Sequence, residues 1–467
     1  MSSAIVWFRR NLRVSDNPAL TAAAESGKPI IPLYVIDDLD EGSAGRWWLH
    51  NSLQALHAAL RDDGGYLVIR AGNPVDAIEQ IAEDFDASDV YLAARYEPAA
   101  VQQERDLETV DGLKLHVSTD YLLNEPGTVL TGGGSPFKVF TPFYKTASAQ
   151  FVPYTPAAAP ADMTYVSPEP EGDRDAHQAL LPTLDWADRF PDYWTPGEEG
   201  ALARLEEAKT KVANYDVERD RPGHDGTSRL SPHMHFGEIS AGQAHYAISS
   251  QRNAEPLIRQ LYWRDFSYHL LSEHPTLPSK PLRSEFDNFP WVEDDEHLKQ
   301  WQRGKTGYPI VDAGMRQLWH TGWMHNRVRM IVASFLVKHL LIPWQHGADW
   351  FLDTLLDADL ANNSAGWQWV AGCGTDAAPY FRVFNPILQG QKFDPDGAYV
   401  REWVPELENM PSKFIHEPWT APEAMQQECG VIIGRDYPEP IVEHKAARQR
   451  ALDAYQLSRD LVNSAAS

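Results

Sequence analysis

Four short runs bring together side chains that could do chemistry. Tyr215 precedes Gly226-Thr227-Ser228-Arg229-Leu230-Ser231, where small hydroxyls beside a glycine open a helix. Backbone N–H groups and hydroxyls converging at such a start make an anion cradle, although a plain capped helix start accounts for the same residues. In Gln260-Leu261-Tyr262-Trp263-Arg264-Asp265-Phe266, helical spacing puts Gln260, Trp263 and Arg264 on one face. An amide, an indole and a guanidinium together can read a base edge and stack on it. The alternative is an amphipathic helix with an aromatic anchor. In Met324-His325-Asn326-Arg327-Val328-Arg329-Met330, the residues Asn326, Arg329 and Met330 share a helical face and Arg327 points elsewhere. The run Asp357 to Trp369 holds Asp357, Asp359 and Asn363 near a glycine and two indoles, Trp367 and Trp369. A calcium loop would need acids where this run has Leu and Ala, so no metal is expected.

The elements that must position these residues fall into three parts. Residues 1–125 alternate apolar β-rich runs with helical periods. Strands are expected at Ile5–Phe8, Ile30–Ile36, Tyr66–Ile69, Val90–Leu92 and Leu113–Val117, with Asp16 or Asn17 and then Asn73 as helix caps. That alternation predicts a parallel sheet covered on both faces, Rossmann-like but without a G-x-G-x-x-G after the first strand. Residues 126–195, rich in Pro and Ala, read as an extended linker. From 196 to 467 the apolar period is helical, with helices expected at Gly197–Val212, Ser240–Ser250, Pro256–Glu273, Asp312–Trp319, His325–Leu341 and Asp349–Leu356. The fold class is therefore α/β plus all-α.

Two cysteines in 467 residues exclude a disulfide framework, and no stretch has the run of about 18–20 apolar residues a membrane span needs. A cytoplasmic protein is expected. The net charge of -25 argues by itself against a nucleic-acid partner. Its distribution does not: Ala313–Ala348 and Ala377–Phe393 contain no acid, while Arg316, Arg327, Arg329, Lys338, Arg382 and Lys392 lie within them. A local basic patch on an acidic body can bind DNA, and buried helices also lack acids. Of 16 tryptophans, 11 lie beyond residue 260, which suits core filling, base stacking or electron transfer between indoles.

Taken in order, VWFRRNLRVSDNPAL, GTSRLSPHMHFGEIS, QLYWRDFSYHLL, GKTGYPIVDAGMRQL, MHNRVRM and DADLANNSAGWQWVAGCGTDAAPYFRVFNP resemble the photolyase/cryptochrome family, and the class I cyclobutane-dimer photolyases within it, over nearly the whole chain. The resemblance implies a helical FAD-binding domain holding a compact, U-shaped FAD. By position, Tyr215, Thr227, Ser228, Leu230 and Ser231 would hold phosphates and ribityl chain, with Gln260, Arg264 and Asn326 touching both cofactor and substrate. Arg329 and Asp357 match an ion pair beside the isoalloxazine. Asp359 would bond the flavin edge, and Asn363 would face flavin N5, where an Asn favours reduced states. Trp263 and Trp369 match indoles packed on a flipped dimer, together with Met330. Arg219, Arg327 and Arg382 match phosphate-binding arginines. Trp367, Trp344 and Trp291 match a tryptophan chain from flavin to surface. The implied activity is light-driven splitting of pyrimidine dimers in DNA by electron donation from excited, reduced flavin, with the dimer flipped out of the duplex.

Two departures and two rivals complete the expectation. Asn326 and Met330 stand where (6-4) enzymes carry histidines, which points to cyclobutane dimers. Gln260 stands where bacterial cyclobutane photolyases carry Glu; it keeps a donor and an acceptor but cannot bear charge. Ala99-Ala100 replaces the folate-binding pair of some relatives, so a second antenna chromophore is left open between deazaflavin, flavin, folate and none. A blue-light receptor of the cryptochrome type has the same fold and flavin. A Rossmann-type flavin electron-transfer protein would lack the arginines and the stacking indoles. A monomer acting on damaged DNA is expected.

Overall fold

The computed structural model describes residues 2–37, 41–167, 169, 171–172, 174–182, 185–376 and 381–466. Five parallel strands form one sheet in the order β3-β2-β1-β4-β5: β1 Ser3–Phe8, β2 Ile30–Ile36, β3 Val68–Ala71, β4 Ala87–Ala93 and β5 Lys114–Ser118. Between them run α1 Pro18–Glu25, α2 Ser43–Asp62, α3 Pro74–Phe85 and α4 Pro98–Glu108. Every residue of β1 is buried, as a central strand covered on both faces requires. Asn17 caps α1 by accepting from Leu20 N at 3.1 Å, and Asn73 caps α3 by accepting from Val75 N at 2.8 Å; each is followed by a proline at the first helical position. The third strand begins two residues later than expected, because Tyr66 and Leu67 are buried ahead of the ladder instead of pairing within it.

The rest of the chain is helical: α5 Phe140–Gln150, α6 Arg174–Gln178, α7 Glu198–Lys211, α8 Tyr215–Glu218, α9 Ser231–His235, α10 Ala241–Ser249, α11 Glu255–Glu273, α12 Asp295–Gln302, α13 Pro309–Thr321, α14 Asn326–Ser334, α15 Trp344–Thr354, α16 Leu360–Ala371, α17 Pro386–Phe393, α18 Ala398–Trp403, α19 Glu423–Glu428 and α20 His444–Ala466. Residues Phe335–Leu340, expected as a continuation of one α-helix, form a π-helical stretch instead, ending on Leu341 in the left-handed region at φ 59°. No helix among the described residues is long and apolar enough to cross a membrane.

By compactness the chain makes two units. The first comprises residues 1–213, 228–275 and 356–361; the second comprises 214–227, 276–355 and 362–467. This division differs from the three successive segments read off the sequence. The sheet unit takes in α9, α10 and α11, because buried side chains from these later residues complete its core. Trp48 Nε1 donates to Glu238 at 2.8 Å, and the Trp48 ring lies 4.9 Å from that of His233. Gly237, at φ 65°, passes so close to the end of β1 that a Cβ there would lie 1.8 Å from the Arg10 carbonyl oxygen. Within the expected linker, α5 packs on α11: the Phe140 and Trp263 rings stack at 3.6 Å, and Phe143 meets Phe266 at 5.0 Å. The Phe-rich run that opens α5 therefore buries on a helix, and the extended reading applies to the Pro-Ala stretch after it, where Ala157 N donates to Asp16 at 3.1 Å.

Candidate functional site

In the sheet unit a chain of buried charges runs from the end of β1 to the turn before α16. Arg10 and His235 converge on the Glu41 carboxylate; Arg10 pairs with it, and His235 Nε2 lies 3.0 Å from Glu41 Oε2. On its other side, His235 Nδ1 stands 3.8 Å from Asp359 Oδ2, which also accepts from the Tyr268 hydroxyl. Tyr121 OH lies 3.3 Å from Tyr268 OH. Burial alone would raise the Asp359 pKa. The nearby charge of His235, with Arg264 and the Tyr268 hydroxyl, outweighs burial and holds the carboxyl below its ordinary range. For His235, burial and Arg10 oppose charging, while Glu41 and Asp359 overcome them and raise the imidazolium pKa. Asp359 is thus a carboxylate kept ionised inside the protein, which suits an acceptor for a ligand N–H.

Helix α11 carries the expected amide, indole and guanidinium, but they do not act as one reading face. Gln260 turns back to donate to its own helix at Pro256 O, 2.9 Å away. One face of Trp263 is covered by Phe140, leaving only the other for a base. Arg264 donates to the Tyr121 carbonyl at 2.5 Å, lies 3.9 Å from the Tyr121 ring centre, and is only half-buried. Among the described residues it has no carboxylate at ion-pair distance. Tyrosine rings and backbone carbonyls surround it, and the charges of Asp359 and Asp265 act on it from beyond ion-pair distance. Ser228 is half-buried, Leu230 buried and Ser231 exposed at the start of α9; Asp357 is buried.

The second unit holds the remaining candidates. Tyr215 is buried, and Arg219 lies 5.4 Å above its ring. Gly226 is required by contact, since a Cβ there would meet the Glu218 Cβ at 2.5 Å; Thr227 beside it is half-buried. On α14, Asn326 is exposed, and Arg329 Nε donates to Met324 O at 2.7 Å. Arg327, expected apart from Met330, lies 3.7 Å from the Met330 sulfur, as i and i+3 neighbours can. It is paired with Asp220 at 2.7 Å, so a phosphate would compete with that carboxylate. Arg382 is exposed and free to meet a phosphate. His325 caps α14 by accepting from Arg327 N at 3.2 Å; burial, with Arg327, Arg329 and Arg219 nearby, pushes its pKa down to about 3.

Asn363 on α16 donates to the Ala348 carbonyl at 3.0 Å, leaving Oδ1 without a protein partner among the described residues. Trp367 and Trp344 are buried and Trp291 is half-buried. These three are not in mutual ring contact among the described residues. The ring neighbours of Trp367 are Phe351 at 5.0 Å and Trp301 at 6.2 Å, and Trp301 was not singled out by the sequence. Gly347 makes room for Trp367: a Cβ there would lie 2.1 Å from the indole. Trp369 is half-buried and donates to the Asp376 carbonyl at 3.0 Å. Residues 377–380, at the end of the last motif and the start of the second acid-free stretch, lie outside the described residues.

Residues 4–161 match the family described as DNA photolyase, and residues 257–457 match the FAD binding domain of DNA photolyase. The deoxyribodipyrimidine photo-lyase of Agrobacterium fabrum is 46% identical over 464 residues, covering 97% of each chain. The chain belongs to the DNA photolyase family. A crystal structure described as a bacterial class III photolyase from Agrobacterium tumefaciens superposes with a TM-score of 0.96 at 45% identity, covering 98% of both chains. Cryptochrome-1 of Arabidopsis thaliana is 35% identical over 96% of this chain and 70% of its own length.

The residues fit the FAD that photolyases bind. In the sheet unit, Arg264 offers a guanidinium with no direct ion pair, Ser228 and Ser231 offer hydroxyls, and Asp359 offers an ionised acceptor. In the second unit, Asn363 offers an amide oxygen with no protein partner among the described residues, and Thr227 offers a hydroxyl. Tyr121, Tyr268, His235 and Glu41 support this set and were missed from the sequence. Their one signal was charge and hydroxyl placed inside apolar runs, such as Arg9-Arg10 directly after IVWF.

Proposed function

We propose that this protein is a deoxyribodipyrimidine photo-lyase that repairs cyclobutane pyrimidine dimers in DNA under light. The carrying observation is the match of both photolyase domains along the chain, together with 46% identity to a photo-lyase over 97% of its length. Bound FAD, when reduced and excited, supplies and recovers one electron, and the dimer bonds open. The chain's own part is to bind, orient and shield. Asp359, kept ionised by His235, would accept a hydrogen bond at the flavin edge, and the Asn363 amide oxygen would serve N5. Arg264, with Tyr215, Thr227, Ser228, Leu230 and Ser231, holds the phosphates and ribityl chain. Asp357 in the sheet unit and Arg329 in the second unit supply opposite charges to the ring. The open face of Trp263, with Trp369, Gln260, Asn326 and Met330, receives the flipped dimer. Arg219, Arg327 and Arg382 neutralise phosphates, Arg327 after exchanging Asp220 for a phosphate oxygen. Trp367, Trp344 and Trp291 pass electrons inward to keep the flavin reduced.

The motifs lead to an expectation of class I; we propose class III instead, the class named for the structural relative at TM-score 0.96. We place a second, light-harvesting chromophore on the parallel-sheet unit, where the chain order reverses on either side of β1. A cytoplasmic location, with the DNA, and a monomeric state belong to the same proposal. The test compares dimer-bearing oligonucleotide incubated with reduced holoprotein under blue or near-UV light and in the dark. Light-dependent recovery of monomeric thymine is expected. Its absence, with FAD bound and DNA affinity intact, favours the cryptochrome-type receptor instead.

A further inference from the structure

Three tyrosines stand in ring contact inside the sheet unit. Tyr121 and Tyr268 meet edge to face at 5.5 Å, and Tyr268 and Tyr96 at 5.8 Å. Tyr268 is fully buried and Tyr96 is half-buried. Two of the three hydroxyls each have a carboxylate: Tyr268 donates to Asp359, and Tyr96 donates to Glu125. Tyr121 instead donates to the His235 carbonyl at 3.2 Å, and its hydroxyl lies 3.4 Å from Asp359. A buried hydroxyl needs only one acceptor, and a backbone carbonyl serves. A buried carboxylate is the costlier choice. Burial and the Asp359 charge push the Tyr268 pKa well above its ordinary value, and burial and Glu125 do the same for Tyr96. Both phenols therefore hold their protons. A phenol that loses an electron and keeps its proton becomes a cation, and the Arg264 guanidinium, 5.6 Å from the Tyr268 ring centre, opposes that. A hydrogen-bonded carboxylate removes the obstacle, because the proton can leave with the electron.

We propose that Tyr268 and Tyr96, each with its own carboxylate, form a proton-coupled electron relay that drains excitation from oxidised flavin, separate from the tryptophans of the second unit. It rests on FAD being bound with Asp359 at its edge, and not on DNA repair. In the first step Tyr268 gives one electron to bound, photoexcited, oxidised flavin. Its O–H bond breaks and the proton goes to Asp359, leaving a neutral tyrosyl radical beside a carboxylic acid. In the second step Tyr96 gives an electron to Tyr268 and its own proton to Glu125, while Asp359 returns its proton to Tyr268. Each residue pair thus keeps its charge during the second step. Burial raises the Glu125 carboxyl and Asp359 is held low, so the proton moves toward the stronger base. Electron and proton then return by the same two steps. The cycle dissipates the excitation and leaves the flavin oxidised.

The test uses full-length protein loaded with oxidised FAD and carrying W367F, which removes the first indole of the other route. Y268F and Y96F are added singly. Flavin fluorescence decay and the light-induced electron paramagnetic resonance signal are read in water and in deuterium oxide. In W367F alone, quenching that slows in deuterium oxide and a neutral tyrosyl signal are expected. Adding Y268F should lengthen the fluorescence lifetime severalfold and remove the signal. Adding Y96F should keep the quenching and shorten the life of the radical. The same decay with and without Y268F, or quenching insensitive to deuterium, overturns the proposal. If Y268F no longer holds FAD, W367F protein made with ring-deuterated tyrosine decides: a light-induced signal that does not narrow is not tyrosyl and overturns it. Protein that takes up no FAD removes the flavin-binding reading. FAD-loaded protein that repairs dimers but shows no tyrosyl radical removes only the relay.

Discussion

His235 Nδ1 stands 3.8 Å from the Asp359 carboxylate, with the second nitrogen of the same ring 3.0 Å from Glu41. One imidazolium therefore balances two buried carboxylates, and Glu41 is balanced again by Arg10. Replacing His235 by Phe removes the imidazolium from both Asp359 and Glu41. The expected cost is on the order of 3–5 kcal/mol of unfolding free energy, because one buried charge loses its partner. Denaturant unfolding of the apoprotein measures it, and FAD retention on gel filtration should fall in parallel. An unchanged midpoint with full FAD content would show that the histidine is neutral and the pair unimportant.

Asp265 gives the clearest pH dependence. It is fully buried and accepts from the Leu123 and Asn124 N–H groups at 3.1 and 2.9 Å. Burial pushes its pKa up to about 7, although Arg264 and those N–H groups pull the other way. The folded chain then holds a proton that the unfolded chain releases near pH 4. Stability from this group is present below that point, declines as pH rises from about 4 to about 7, and is flat above. Asp265→Asn should remove that slope and raise the melting temperature at pH 8. Parallel pH–melting curves for wild type and variant would contradict the assignment.

Trp367 should be the first indole of the electron path. Trp367→Phe is expected to abolish photoreduction of oxidised flavin while chemically reduced enzyme still repairs dimers. Photoreduction at the wild-type rate would remove Trp367 from that role.

Gly347 offers an independent approach to the same ring. A methyl group at Gly347 overlaps the Trp367 indole, so Gly347→Ala must displace one or the other. Overpacking of this kind costs about 1–3 kcal/mol. Slowed photoreduction together with a lowered melting temperature is expected, read by flavin absorbance and calorimetry.

Gln260 donates to its own helix at Pro256 O, so its amide is not held by the site. Gln260→Glu loses that donor and gains a charge-bearing acceptor for the thymine edge. Repair of thymine dimers should be retained or raised in quantum yield. Abolished repair would mean that the amide N–H, not the oxygen, serves the substrate.

The sequence by itself determined the elements and the family. Period-two and helical apolar patterns, with Asn17 and Asn73 before prolines, placed most strands and helices, since caps and periodicity are local physics. The ordered motifs identified the family and named the residues expected to face flavin and dimer. Tertiary structure decided what those residues touch. Charge pairing depends on residues distant in sequence, such as Arg10 and Glu41 meeting His235, or Arg327 meeting Asp220. The covering of Trp263 by Phe140 and the π-helical turn carrying Lys338 likewise follow from packing between segments. Spacing along one chain fixes which face a side chain occupies. Only the folded arrangement fixes what stands opposite, and that partner sets its charge.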